Sequence, residues 1–109
     1  MSLVHYRLLD SCIHILTLKN KTNDNWFTMD FMRCINESLD KIEEWIKENP
    51  LAPTALITIS SNSKIYSNGL FLDEAFEKGS VYFTEYSSLL KRLLVFPIPT
   101  IAGIKSQII

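Results

Sequence analysis

Apolar side chains recur at every second position over residues 3–9 and again over residues 12–18, with Asp10-Ser11 between the two runs. That alternation belongs to strands and the break is made of turn formers, so the chain must open with a β-hairpin. Residues 20–25, Asn-Lys-Thr-Asn-Asp-Asn, are too polar to pack and carry the chain off the sheet across the surface. Thr28 then offers a hydroxyl as N-cap, and Phe31, Ile35, Leu39, Ile42 and Ile46 repeat at three- and four-residue steps. The spacing predicts a long amphipathic helix ending near Asn49-Pro50. Pro50 and Pro53 bar its continuation, and residues 55–60, Ala-Leu-Ile-Thr-Ile-Ser, read as a buried strand. Residues 61–64 form a loop. After Gly69 the pattern turns helical, with Tyr86, Leu89, Leu90, Leu93 and Leu94 on one apolar face, until Phe96-Pro97 stops it. Residues 99–104 make a further strand with proline at its first position.

The resulting order, β-β-α-β-α-β, places the chain in the α/β class, with its last two strands parallel and well covered. Ligands in such sheets collect beyond the carboxyl ends of the strands, so the segment after Ser60 is where a site is expected. Linkers, repeats and low-complexity stretches are absent from the 109 residues, which suffice for one domain only.

A formal charge of −1, with Lys and Arg scattered singly apart from Lys91-Arg92, gives no basic face for a nucleic-acid backbone. Cys12 and Cys34 lie in apolar runs and read as buried free thiols. His5 and His14 alternate with apolar residues as the polar face of strands and show no ligand spacing, so neither a metal nor a cofactor is expected. No cationic segment followed by an apolar stretch opens the sequence and no run has membrane-spanning length; the expectation is the cytosol, or an organelle reached by a signal not visible here.

Gly69 is one of three glycines and stands between a strand and a helix, where the missing Cβ permits a sharp turn. The amide of Leu70 would then start a helix and be available as a donor to an oxygen gaining negative charge. One such donor typically contributes about 3 kcal/mol to transition-state stabilisation, and most such sites use two. By spacing alone a simple turn glycine is the better explanation of the residue, since such turns are common in any fold.

Ile13-His14-Ile15-Leu16-Thr17-Leu18, Asn25-Trp26-Phe27-Thr28, Leu56-Ile57-Thr58-Ile59, Tyr66-Ser67-Asn68-Gly69-Leu70-Phe71-Leu72 and Phe96-Pro97-Ile98-Pro99-Thr100-Ile101-Ala102 occur in that order. Together they resemble the amino-terminal half of the crotonase (enoyl-CoA hydratase/isomerase) family, most of all its Δ3,Δ2-enoyl-CoA isomerases. The resemblance implies a truncated crotonase-like (ClpP/crotonase) fold, with residues 1–109 as the amino-terminal part of the domain. It implies an acyl-CoA thioester as substrate and the Leu70 backbone amide as one oxyanion donor. Ser67, Asn68, Gly69, Leu70, Phe71 and Leu72 would line the pocket for the thioester and pantetheine. It further implies fatty-acid β-oxidation, a peroxisomal or mitochondrial setting, and assembly into crotonase-type homo- or hetero-oligomers.

Two positions depart from the family pattern. Phe71 stands where most members carry Asp, although an amide donor does not depend on that side chain. After residues 101–104 the family continues into a Gly-rich turn bearing the second oxyanion amide, and its carboxylate acid/base lies further on; residues 105–109, Lys-Ser-Gln-Ile-Ile, match neither. Asp73, Glu74 and Glu77 read as solvated helix residues with no role. The chain by itself is therefore expected to be an inactive and marginally stable fragment, with Ile108-Ile109 exposed at a sheet edge. Hydratase is the nearest alternative activity. A non-catalytic half-domain that binds a full-length crotonase is the alternative from another class.

Overall fold

The computed structural model describes residues 3–20, 25–62 and 65–104. Strands β1 (Val4–Leu9) and β2 (Ile13–Leu18) form the expected antiparallel hairpin, with Val4 opposite Leu18 and Leu9 opposite Ile13. Asp10 and Ser11 both take positive φ, 50° and 61°, and the Cys12 amide donates to the Leu9 carbonyl at 3.1 Å. Two consecutive positive φ values are the signature of a type I′ turn, whose twist matches that of the strands it joins.

Helix α1 (Met29–Glu48) is held at its start by two acceptors. Thr28 Oγ1 takes the Phe31 amide at 3.1 Å, as its N-cap position requires. Glu74 Oε1, from helix α2 (Leu72–Lys78), takes the Met29 amide at 3.0 Å. Glu74 also pairs with Lys78 at 3.3 Å and is largely buried, so its expected place as a solvated residue is corrected: it caps a helix far away in sequence. Phe31, Ile35, Leu39 and Ile42 are buried, and Ile46 packs against them.

Strand β4 (Ala55–Ser60) pairs in parallel with β2, and β6 (Thr100–Gly103) in parallel with β4, giving the sheet order β1-β2-β4-β6. A second, two-stranded parallel sheet joins β3 (Trp26–Phe27) to β5 (Gly69–Leu70). Neither of these two-residue strands is visible in a periodicity. The core lies between one face of the large sheet, through Val4, Leu16, Leu18 and Leu56, and Phe31, Leu39, Tyr82 and Leu89 of the helices.

Several expectations are corrected. The helical region after Gly69 is two helices, α2 and α3 (Ser80–Leu94), separated at Gly79 with φ 53°. In α3 the inward stripe is Tyr82, Tyr86, Leu89 and Leu93; Leu90 and Leu94 are each rotated by about 100° from it and are exposed by 46% and 86%. Strand β6 is parallel as expected but poorly covered, with Thr100, Ile101 and Ala102 exposed. Cys12 and Cys34 are free but only half-buried. The polar run at 20–25 is not wholly on the surface as expected, because Asn20 and Asn25 at its two ends are buried. Ile108-Ile109 fall outside the described residues. Arg92 ties α3 to α1 through Glu43 at 2.9 Å, Asp40 at 2.7 Å and the Asn36 side chain at 3.0 Å.

His14 is not on a polar face either. It is fully buried, stacked on Tyr6 and edge-on to Trp45 with ring centroids 4.7 Å apart. Its Nδ1 shares a 2.7 Å hydrogen bond with the Tyr6 hydroxyl, and Nε2 has no partner. Burial lowers the His14 pKa from the usual 6.5, because the imidazolium would lose its hydration. The unfolded chain then takes up the proton first, so stability falls as the pH drops below about 6.5 and the loss is complete below the folded-state pKa. Urea midpoints measured at pH 7.5 and pH 5 should therefore differ more for the wild type than for His14→Leu; equal acid sensitivity of the two proteins would contradict this.

Candidate functional site

Asn25 assembles the segment that the sequence singles out. It sits at φ 50°, a left-handed conformation that asparagine tolerates better than most residues. Its Oδ1 accepts the Asn20 amide at 2.9 Å, and its Nδ2 donates to Ser60 Oγ at 2.8 Å and to the Tyr66 carbonyl at 2.9 Å. Its own carbonyl accepts the Ser67 hydroxyl at 2.7 Å. One side chain and one carbonyl thus join the end of β2, the end of β4 and the residues leading into β5. Ser60 Oγ continues the network to the Ile65 carbonyl at 2.7 Å.

Ser67 accepts the Gly69 amide at 2.9 Å, so its hydroxyl is committed to holding the turn. Gly69 has φ 79°, and nothing lies within 4 Å of where its Cβ would be; backbone conformation, not crowding, requires glycine here. Leu70 is aligned with Phe27 across the two-stranded sheet. One residue on, the Tyr82 hydroxyl is inserted between the strands, accepting the Phe71 amide at 2.9 Å and donating to the Phe27 carbonyl at 2.5 Å. The Phe71 amide therefore faces β3. Successive amides along an extended strand point to opposite sides, which turns the Leu70 amide away from β3.

This placement corrects one expectation. Leu70 belongs to β5, and α2 starts at Leu72 with Phe71 as its N-cap, so the Leu70 amide is not the first donor of a helix and owes nothing to a helix dipole. Asn68 and Leu72 are exposed, while Ser67, Leu70 and Phe71 are half-buried, the Phe71 ring lying 6.0 Å from that of Trp26.

Beside this segment lies an apolar cavity of about 230 Å³, lined chiefly by Leu16, Leu18, Phe27, Ile35, Thr58 and Tyr66. None of residues 67–72 lines it. The Thr58 and Tyr66 hydroxyls are hydrogen-bonded to each other in its wall. Burial pushes the Tyr66 phenol above its usual pKa, and the bond to Thr58 opposes that rise. Asn25 and Tyr66 stand in the motifs that carry the resemblance, but their hydrogen bonds here, and those of Tyr82 and Glu74, are not legible in any local pattern.

Among the described residues no three His, Cys, Asp or Glu side chains come together as metal ligands, and no helix is long and apolar enough to cross a membrane. No protein-family model matches the sequence and no curated protein matches it. Solved structures do. The apo enoyl-CoA isomerase of Mycobacterium tuberculosis is similar with a TM-score of 0.73 at 20% identity, over 93% of this chain and 41% of that one. An enoyl-CoA hydratase from Bacillus anthracis gives 0.74 at 17% identity, over 95% of this chain and 40% of that one. An enoyl-CoA hydratase/isomerase from Xanthobacter autotrophicus gives 0.74 at 20% identity, over 94% and 38%. The fold of this chain is therefore crotonase-like, and it spans about 40% of the length of the structures that share it.

Proposed function

We propose that this chain supplies one half of an acyl-CoA thioester site of the enoyl-CoA hydratase/isomerase type, as the amino-terminal part of a crotonase-like domain. The observation that carries the reading is the Tyr82 hydroxyl between Phe71 and Phe27, which commits the neighbouring amide and turns that of Leu70 away from β3. In this role the Leu70 N–H donates to the thioester oxygen as negative charge builds on it, with Ser67 and Gly69 setting the turn and residues 67–72 flanking the thioester. A single donor of this kind contributes about 3 kcal/mol, and enolate chemistry calls for a second donor and a base besides it. Within the type, an isomerase that moves a 3-enoyl double bond to the trans-2 position is favoured by Ser67-Asn68-Gly69-Leu70 and Phe27-Thr28; hydratase is the alternative. Fatty-acid β-oxidation, in a peroxisome or mitochondrion, is the setting that goes with that activity.

The test is amide NMR of the 109-residue chain titrated with a short acyl-CoA whose thioester carbonyl carries ¹³C. The Leu70 amide resonance should shift downfield with saturation, and the carbonyl resonance should move with it. If the ligand binds but shifts other amides and leaves Leu70 unmoved, the assignment of the donor fails.

A second reading, assembly with another chain of crotonase-like fold, is favoured by the exposed apolar residues Ile101, Leu94 and Val95, at 52%, 86% and 69%. Co-purification with a full-length crotonase at fixed stoichiometry would support it. A monodisperse monomer that ignores such a protein would end it.

A further inference from the structure

Helix α3 carries two apolar stripes, and the core uses one of them. The inward stripe is Tyr82, Tyr86, Leu89 and Leu93. Phe83, Ser87, Leu90 and Leu94 each follow one of these by a single residue, so a second stripe repeats the same spacing, rotated by about 100°. All four of its residues are exposed. A surface helix needs one such face for its own core, and alternating steps of four and three residues are the pattern by which one helix packs along another. A further side of α3 is taken by α1, through Arg92 with Glu43, Asp40 and Asn36. Among the described residues, the second stripe is the apolar face of α3 that the fold leaves open.

We propose that this stripe packs against the same stripe of a second copy, α3 on α3, antiparallel about a two-fold axis. The inference deepens the assembly reading above by naming the partner and the face, and it does not depend on the thioester reading. The stripe is self-complementary in this orientation. With the axis between Ser88 and Leu89, Phe83 lies opposite the partner's Leu94, and Ser87 makes room for the partner's Leu90. A parallel pair would set Ser87 on its counterpart and leave a gap. It would also bring like charges together, because Lys91 borders the stripe whereas Glu85 and Arg92 lie on the opposite side of the helix. The stripe and its borders would bury on the order of 1,000 Å² over two copies, the lower end for a specific interface, so a dimer of micromolar affinity is expected.

Sedimentation velocity of the full 109-residue chain across a wide concentration range should show a monomer–dimer equilibrium. Leu94→Lys should raise the dissociation constant about thirtyfold or more, the effect of removing a central apolar anchor. The position is exposed and lies at the carboxyl end of α3, where a cation is tolerated, so the circular dichroism spectrum should stay native. The orientation is read from Phe83→Cys and Leu94→Cys, each made with Cys12→Ala and Cys34→Ala. Under mild oxidation, disulfide-linked dimers should form when the two proteins are mixed and not with either alone. A chain that stays monomeric throughout overturns the proposal; if that monomer still co-purifies with a full-length crotonase, the assembly reading stands without it. A dimer indifferent to Leu94→Lys, or one that crosslinks through either cysteine variant alone, also overturns it.

Discussion

Asn25→Ala is expected to lower the stability of the domain by about 3 kcal/mol or more, read as a drop in the urea midpoint with unchanged slope. The residue is buried, and its side chain makes three hydrogen bonds, to the Asn20 amide, Ser60 Oγ and the Tyr66 carbonyl. Truncation withdraws partners from polar groups in a part-buried setting, and each such group typically costs about 1–3 kcal/mol. Alanine also tolerates φ 50° less well than asparagine does. Asn25→Asp makes the result specific, because it preserves shape and the Oδ1 acceptor while removing the Nδ2 donor that faces Ser60 and Tyr66. If the network is what matters, the aspartate variant should be destabilised too. A change below about 1 kcal/mol in both variants would mean that water replaces the network. For a domain whose total stability is of the order of 5–15 kcal/mol, the predicted loss is a large share.

Tyr82→Phe should remove about 2 kcal/mol and act locally on the candidate site. The ring is fully buried, stacked near Tyr86 and edge-on to Phe83, and phenylalanine preserves that packing. What disappears is the hydroxyl that separates Phe71 from Phe27 while satisfying both. Two responses are open to the backbone: the strands close and pair directly, or both groups stay unsatisfied. Either way the amide resonances of Leu70 and Phe71 should move more than those in β2 or β4, and amide exchange in β5 should quicken. A stability loss spread evenly over the molecule, with β5 unperturbed, would show that Tyr82 acts only through its ring.

The parts of the fold legible in the sequence are those decided within a few residues. The hairpin follows from Asp10-Ser11 between alternating runs, and α1 from the Thr28 cap and its apolar stripe, because turn and helix chemistry act over two to four positions. The parallel pairing of β2, β4 and β6 follows from crossovers that contain helices. What escaped is decided by tertiary approach. β3 and β5 are two residues each and pair across the whole of α1 and β4, and Glu74 reaches the start of α1 from another helix. Alternation places His14 on a polar face because it assumes one wet side, whereas β2 lies inside the sheet. At the candidate site the turn glycine could be picked out by its scarcity. Tyr82, which fixes the neighbouring Phe71 amide toward β3, is connected with Leu70 by no local pattern.

The strand order β1-β2-β4-β6 has a further consequence for how the molecule comes into being. Strand neighbours in the large sheet are also successive in the chain, so a ribosome releases them in the order in which they pair. Each strand emerging from the exit tunnel meets a finished edge, and none has to wedge itself between partners already joined. Synthesis can thus proceed by addition at one growing side, with the hairpin as seed, then β4, then the Thr100–Gly103 strand.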